Sequence, residues 1–318
     1  MRTRGQTLKQ LSTTEDGEDT EVSTLKRFCL ISLSVLSVLS GGEFVLRAAA
    51  QQAPAAQQPA TPATPRSVAP IELTGYWVSV ITEDWRWRML TPSKGDYASV
   101  PINDEGRRVA DTWNLAKDEA AGLACKPYGI GNIMRMPGRL HITWQDDRTL
   151  KAEFDAGTQT RLLHFDSTSA GSGQNRPAAK PGEKTWQGYS TAEWQIAGQT
   201  VDVDRNGIPQ TGGGGRGRGR RGAAPTGGSL FVTTTNFREG YLRKNGVPYS
   251  TNATITEYFD RVGPEPNGDV ILLVRTVVDD PKYLQTPFIT STHFKRENDG
   301  SKWNPSSCKI DPPVEPGK

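Results

Sequence analysis

The sequence predicts a mainly β protein, a single antiparallel β-barrel of about ten strands, with a β-sandwich as the alternative. After residue 71, segments rich in β-branched and aromatic residues alternate with short polar connections, as strands and their turns do. Asn245-Gly246 and Asn267-Gly268 are dipeptides typical of tight hairpins. The clearest predicted strands are 73–82, 139–144, 150–154, 159–165, 254–262, 269–278 and 287–296.

One stretch, residues 103–122, has the periodicity of a helix. Asn103 or Asp104 can cap its start, and apolar residues then recur at three- and four-residue spacing. A short helix beside so many strands is predicted to lie as a lid over one open end of the barrel.

The N-terminal part of the chain predicts export. Residues 1–50 combine a polar preface, the basic pair Lys26-Arg27, the uncharged apolar run 28–40 and the small residues 48–50. A membrane-spanning helix needs about 20 apolar residues, so the run is too short to cross and favours a secretory signal. We expect cleavage near Ala50, no integral membrane domain afterwards, and a periplasmic or secreted protein. An uncleaved anchor is the alternative.

Composition divides the remaining chain into a linker and one domain. Residues 51–70 are rich in Ala, Pro and Gln and predict a flexible linker. Residues 71–318 are predicted to form the barrel, with a disordered Gly/Arg-rich loop at 211–228. That loop has the composition of RNA-binding segments, but it contains no aromatic residue that could stack on a base. The net charge of +3 also gives no reason to expect a nucleic-acid partner.

Two cysteines remain after removal of the predicted signal. In an oxidising compartment Cys125 and Cys308 are expected to form a disulfide. Free thiols or zinc ligation are the alternatives.

The most informative polar residues come from the strand register. If 263–269 joins two paired strands, Glu257 lies opposite Arg275, and His293 follows on the next strand. On the lumenal face these side chains could orient a ligand, with the arginine holding a carboxylate bidentately. On the solvent face they would form a surface pair, and a one-residue shift of register exchanges the two faces. Arg161 is a similar candidate.

Trp85 and Trp87 alternate with arginines and are predicted to share one face of a strand. Paired aromatic rings can stack on a flat ligand, although core packing is their commoner use.

The sequence contains no recognisable catalytic motif. It lacks a G-x-S-x-G elbow and any phosphate-binding glycine pattern that follows a strand. Three histidines, His141, His164 and His293, could together hold zinc or another divalent metal, and this is the only cofactor that the residues suggest. Because no two of them have metal-ligand spacing, hydrogen-bonded strand histidines are the alternative.

Gly75-Tyr76-Trp77 resembles the Gly-x-Trp start of lipocalin-like barrels. The resemblance implies that Gly75 permits a tight bend and that Trp77 plugs the closed end of the barrel. The strings CKPYG, DAGTQTRLLHF, GYLRKNGVPYS, TEYFDR and THFK resemble those of exported bacterial proteins without an assigned function. That second resemblance implies export and a single β domain, and it carries over no catalytic residue.

These observations predict an exported barrel that binds a small amphipathic or apolar molecule in its lumen. One alternative is an enzyme on the same barrel, an isomerase or hydrolase that uses His293 or a histidine-bound metal. The other is an envelope interaction module that uses the Gly/Arg-rich loop or an aromatic edge. The sequence leaves the oligomeric state open.

Overall fold

Thirteen strands account for the β structure of the described residues. The computed structural model describes residues 63–165, 182–196, 202–203, 209–210 and 227–314. The strands are β1 (Gly75–Val80), β2 (Arg139–Asp146), β3 (Thr149–Phe154), β4 (Gln159–His164), β5 (Tyr189–Ile196), β6 (Asp202–Val203), β7 (Pro209–Gln210), β8 (Gly228–Thr235), β9 (Gly240–Tyr241), β10 (Pro248–Tyr249), β11 (Thr254–Val262), β12 (Ile271–Asp279) and β13 (Phe288–Glu297). The predicted signal segment and residues 211–226 of the Gly/Arg-rich loop lie outside the described residues.

Nine of these strands close into a barrel in the order β1-β13-β12-β11-β8-β5-β4-β3-β2. The barrel prediction is therefore confirmed and the sandwich alternative is wrong. Closure occurs at β1, which pairs with β13 on one side and with β2 on the other. The pairs β6–β7 and β9–β10 form separate two-stranded sheets.

The barrel is mixed rather than purely antiparallel, because β4 and β5 run parallel, with Leu163 opposite Ser190. An antiparallel neighbour can follow through a short hairpin, whereas a parallel neighbour requires the chain to return to the starting end of the barrel first. In the sequence, residues 165–188 separate the two strands. The connection was long enough to allow either arrangement, so strand patterns alone did not distinguish them.

The two ends of the barrel differ. At the end that we call the mouth, β1 starts with Gly75, β5 ends at Ile196 and β12 starts with Ile271. At the opposite end, the helix end, β12 ends at Asp279 and β13 starts with Phe288.

The described residues form three short α-helices, α1 (Trp85–Met89), α2 (Asp104–Ala110) and α3 (Leu115–Ala120), and three single-turn 3-10 helices, Lys126–Tyr128, Ile133–Arg135 and Ala156–Thr158. The single helix predicted over 103–122 is thus two helices. The Asn103 side chain caps the first by accepting from the Gly106 N–H, and the Asn114 side chain caps the second by accepting from the Lys117 N–H. A second cap inside the predicted helix interrupts it, since an N-cap residue has extended rather than helical backbone.

The core consists of two hydrophobic clusters. One fills the barrel and includes Trp77, Leu140, Leu230, Phe259 and Phe294, each at most 2 % exposed. The second lies at the helix end, where side chains from α2 and the β9–β10 sheet pack against barrel residues. Its largest members are Tyr97, Phe237, Tyr249 and Phe288. As predicted, helical structure covers one end of the barrel, and the barrel interior is occupied by the protein's own side chains, as in other small barrels.

The start of β1 depends on Gly75. Its φ of +121° lies in a region that residues with a Cβ rarely adopt, and a Cβ there would lie 3.4 Å from the Arg296 guanidinium. Two residues later, Trp77 is fully buried and donates its indole N–H to the Leu73 carbonyl at 2.9 Å. The Arg296 guanidinium lies 5.7 Å from the centre of the Trp77 ring. The backbone conformation at position 75, rather than a steric clash, therefore favours glycine there.

A disulfide joins Cys125 to Cys308, with the two Cα atoms 5.0 Å apart, which confirms the predicted bridge. The C-terminal segment is also held by hydrogen bonds, from the Tyr128 hydroxyl to the Lys309 carbonyl and from the Ser306 N–H to the Asp155 carbonyl. The bridge closes a loop between residues 183 positions apart in the sequence.

Removing this disulfide should destabilise the barrel. In the variant Cys125→Ser/Cys308→Ser we expect the free energy of unfolding to fall by about 3–5 kcal/mol, because the unfolded chain regains the entropy of a long open loop. Urea unfolding measured with and without a reductant checks this. Reduced wild type should match the variant, and a wild type indifferent to reductant would contradict the prediction.

Candidate functional site

A buried ion pair crosses the barrel interior. Arg161 on β4 contacts Glu257 on β11 through two parallel bonds, Nη2 to Oε2 at 2.5 Å and Nη1 to Oε1 at 3.2 Å. The two side chains are 1 % and 0 % exposed. Arg161 thus binds a carboxylate of the protein itself bidentately, rather than a carboxylate of a ligand. The two charges neutralise each other and leave no net charge to orient a ligand in the lumen, although Arg161 Nε has no acceptor among the described residues.

Two hydroxyl groups complete a polar layer around this pair. Arg161 Nη2 lies 3.4 Å from both Ser190 Oγ and Thr234 Oγ1, and these hydroxyls share a hydrogen bond of 2.8 Å. Glu257 stands between Ile255 of the second hydrophobic cluster and Phe259 of the first. The polar layer therefore separates the two parts of the core.

Arg275 does not face Glu257, so the predicted pairing is wrong. Val262 pairs with Ile271 instead of approaching Val270, which places Glu257 opposite Thr276. A shift of one residue turns a side chain to the other face of a strand. Arg275 consequently lies on the outer surface, exposed, with its guanidinium 4.5 Å from the centre of the Tyr258 ring.

The three histidines lie on different strands and do not converge. His141 stacks on Tyr76 with ring centroids 3.9 Å apart, and His164 stacks on Tyr189 at 4.9 Å. His293 Nδ1 lies 3.2 Å from Thr82 Oγ1 and 3.4 Å from Glu83 Oε2, also outside the barrel. The described residues contain no group of three or more His, Cys, Asp or Glu side chains that could hold a metal ion. The predicted histidine metal site is not formed, because all three side chains point outward from separate strands.

Trp85 and Trp87 lie in α1 rather than in a strand, so they do not share a strand face. Trp85 is 62 % exposed. Trp87 is half-buried, donates its indole N–H to Asp96 at 3.2 Å and packs against the Arg243 guanidinium. Alternation over five residues was too short a pattern to distinguish a strand from one and a half helical turns.

A cavity of about 370 Å³ opens at the mouth of the barrel. Apolar and aromatic side chains from four parts of the chain form its walls, and polar side chains lie along its rim. The apolar lining is Ala69, Ile71, Leu73, Trp144, Leu150 and Trp194, and the polar lining is Arg66, Glu72, Thr74 and Thr143. We call this space the mouth cavity.

The aromatic wall of the mouth cavity is a cluster of three rings. Trp144 at the end of β2 and Trp194 near the end of β5 lie 6.4 Å apart between ring centroids. Phe165, just after β4, contacts both of them at 5.6 and 5.3 Å. Phe165 is only 5 % exposed, whereas the two tryptophans are half-buried and present ring surface to the cavity.

The opposite wall is the chain that leads into β1, and both sides of the mouth hold it in place. The Trp194 indole N–H donates to the Pro65 carbonyl at 2.8 Å. On the other side the Arg66 N–H donates to the Asp147 carbonyl at 3.2 Å, and the two side chains lie 3.7 Å apart. Residues 63–70, the end of the segment predicted to be linker, thus pack on the barrel and enclose the mouth cavity.

A second, smaller cavity of about 230 Å³ lies at the helix end, between α2, α3 and the β9–β10 sheet. The charged groups around it already bind one another. The Tyr241 hydroxyl donates to Asp118 at 2.9 Å, and Lys126 lies 3.5 Å from Glu239. The mouth cavity is larger, two tryptophans line it, and its rim charges are solvent-exposed, so it is the better candidate for a binding site.

No protein-family model, curated protein or solved structure matches this chain. The site must therefore be interpreted from its own chemistry. Trp144 and Trp194 were not predicted as site residues, although Trp144 stands at the end of the predicted strand 139–144. That position at a strand end was a signal that it could line a mouth rather than a core.

The buried pair predicts a strong dependence of stability on both partners. Arg161→Met leaves the Glu257 carboxylate buried without its cation, and we expect a loss of about 3–5 kcal/mol in the free energy of unfolding. Arg161→Met/Glu257→Leu should recover most of that loss, because it removes both charges. Chemical unfolding of both variants measures this, with the exposed Arg275→Met as control. Equal effects of Arg161→Met and Arg275→Met would contradict the role of the pair.

Glu193, next to Trp194 on β5, predicts a dependence of stability on pH. Burial raises the pKa of this carboxyl to about 7. The folded protein then holds the proton to higher pH than the unfolded chain does, so stability should fall as pH rises from about 4.5 to about 7. Glu193→Gln should remove this fall and be more stable than wild type at pH 8. Melting temperatures measured across this pH range test the prediction, with the exposed Glu265→Gln as control. A Glu193→Gln variant with the same pH profile as wild type would contradict the assignment.

Proposed function

We propose that this protein is an exported binding protein that holds a small amphipathic or apolar molecule in the mouth cavity. The observation that carries the proposal is a cavity of about 370 Å³ walled by Trp144, Trp194 and aliphatic side chains. Small-molecule sites span about 300–1,000 Å³ and combine an apolar lining with a few polar groups. This cavity fits the lower end of that range, which favours a compact ligand.

The distribution of polarity favours an amphipathic ligand over a purely apolar one. The aromatic wall offers flat surface for an apolar ring or chain. At the rim, Arg66 pairs only with exposed Asp147, and surface pairs of this kind contribute about 1 kcal/mol or less. The Arg66 guanidinium can therefore exchange Asp147 for a polar ligand group at little cost. The lumen is not part of the proposed site, because core side chains and the Arg161–Glu257 pair occupy it.

Export is supported by the Cys125–Cys308 disulfide, since disulfides persist in oxidising compartments. Among the described residues, no helix has the length and apolar character needed to cross a membrane. The likeness to lipocalin-like barrels remains a proposal, which the closed barrel and the geometry at Gly75 support. An envelope-interaction role for the Gly/Arg-rich loop falls on residues outside the described ones and stays a prediction.

Binding of a neutral apolar dye tests the mouth cavity. Wild type should bind N-phenyl-1-naphthylamine saturably, with a rise in dye fluorescence. Trp144→Ala, which removes one aromatic wall, should weaken binding at least about tenfold, since a buried aromatic contact contributes about 1.5 kcal/mol or more. Ala69→Phe, which fills the cavity from the segment that leads into β1, should do the same.

Trp85→Ala is the matched control, because Trp85 is an exposed tryptophan in α1. It should bind the dye as wild type does. Native mass spectrometry of protein purified from its own host should in addition show a retained small molecule that Ala69→Phe lacks. Unchanged dye binding in both cavity variants, together with no retained molecule, would exclude this site.

A further inference from the structure

Three buried arginines lie together beneath α1. Arg88 belongs to α1, Arg135 to the short 3-10 helix Ile133–Arg135, and Arg243 to the turn between β9 and β10. Their exposed fractions are 2 %, 4 % and 1 %. Arg88 Nε donates to the Arg135 carbonyl at 3.1 Å, and burial, together with the positive charge of Arg135, lowers the pKa of both other arginines. None of the three lines the mouth cavity or belongs to the polar layer inside the barrel.

Several nitrogen atoms of these guanidinium groups have no hydrogen-bond acceptor among the described residues. They are Arg88 Nη2, Arg135 Nη1 and all three nitrogens of Arg243. Buried polar atoms are nearly always hydrogen-bonded, so these five donors require a partner that the described residues do not supply. Arg243 is the extreme case, because its guanidinium is charged and all three of its nitrogen atoms lack an acceptor among the described residues.

The nearby carboxylates do not balance the charge. Arg88 pairs with Glu83 and Arg135 with Asp84, each at 2.8 Å. A third carboxylate, Asp96, is taken by Arg86 at 2.8 Å. Among the described residues no carboxylate lies within salt-bridge distance of Arg243, so one buried positive charge is left over.

Arg243 keeps that charge at neutral pH. Burial, followed by the nearby charge of Arg135, lowers its pKa to about 10. Its guanidinium carbon lies 4.6 Å from the centre of the Trp87 ring. The ring stabilises the cation stacked on it, but it accepts no conventional hydrogen bond from the N–H groups in the guanidinium plane. The in-plane N–H groups of Arg243, which form strong bonds to oxyanions, are therefore still available.

We propose that Arg88, Arg135 and Arg243 form a binding site for a small tetrahedral oxyanion of the phosphate or sulfate type. One guanidinium suffices for the two oxygens of a carboxylate, as Arg161 does for Glu257, whereas five free nitrogens on three guanidiniums match the larger oxygen set of a tetrahedral anion. A bound anion also neutralises the unpaired charge. Water would satisfy the donors but would leave that charge uncompensated.

The site lies close to solvent although its arginines are buried. Arg88 points inward from α1, while Trp85 and Met89 of the same helix are 62 % and 52 % exposed. A single short helix therefore separates this part of the cluster from water. The anion could be inorganic or the phosphate group of a small organic ester, because both present the same oxygens to the arginines.

Anion-dependent stability tests the proposal with the full chain, purified without phosphate or sulfate. Inorganic phosphate should raise the melting temperature of wild type saturably, by about 5 °C at a hundredfold excess over its Kd, relative to sodium chloride of equal ionic strength. In Arg243→Met the phosphate-dependent rise should disappear. Arg275→Met is the matched control, since Arg275 also stacks on an aromatic ring but is exposed, and it should keep the full rise.

Two further variants and a comparison of two ligands test the proposal even if Arg243→Met does not fold. Arg243→Lys retains a charge but loses the planar fork, and it should bind phosphate at least about tenfold more weakly in equilibrium dialysis. Glycerol phosphate compared with inorganic phosphate distinguishes an organic ester from the free anion. Ala69→Phe should bind phosphate as wild type does, which separates this site from the mouth cavity.

Two results would overturn the proposal. One is wild type that shows no saturable binding of phosphate or sulfate. The other is a phosphate response that persists in both Arg243 variants. Equal stabilisation of wild type by acetate and phosphate would refute the tetrahedral assignment.

Discussion

The ion pair between Arg161 and Glu257 decides how this barrel can work. Two opposite charges in the interior stabilise a fold only when they satisfy each other, and here two parallel hydrogen bonds and two hydroxyl groups do so. The pair divides the core into a barrel cluster and a helix-end cluster. The interior is filled in this way, and the two cavities described above lie at the ends of the barrel.

The two ends offer different chemistry for the same structural reason. At the mouth, the strand ends leave Trp144 and Trp194 partly uncovered, and the segment before β1 encloses apolar space above them. At the helix end, long connections between strands supply the residues that cover the barrel, and they bring Arg88, Arg135 and Arg243 together. Arg161 and Arg243 are both at most 2 % exposed, but among the residues that the structure describes Arg161 has a carboxylate partner and Arg243 has none. That contrast is the strongest indication that Arg243 is arranged for something outside the chain.

Sequence patterns predicted the barrel class and the disulfide, because both depend on information that is local or simply counted. Alternation identifies strands one by one, and two cysteines outside the predicted signal allow a single pairing. The predictions about individual candidate residues were less accurate. Glu257 and Arg161 were named but not paired with each other, Arg275 was wrongly paired with Glu257, and Trp85 and Trp87 were assigned to a strand instead of α1. Each error came from a short pattern or from a register that one residue in a loop can change.

By itself the sequence indicated most of the barrel strands and, outside the predicted signal segment, a single possible pairing of cysteines, Cys125 with Cys308. The tertiary structure decided which side chains meet. Arg161 and Glu257 are 96 residues apart, and Arg88 and Arg135 are 47 apart. Periodicity indicates which side of a strand is apolar, but it does not determine which distant strand will lie opposite. Barrel closure and strand register set those contacts, and the mouth cavity and the arginine cluster exist only once they are set.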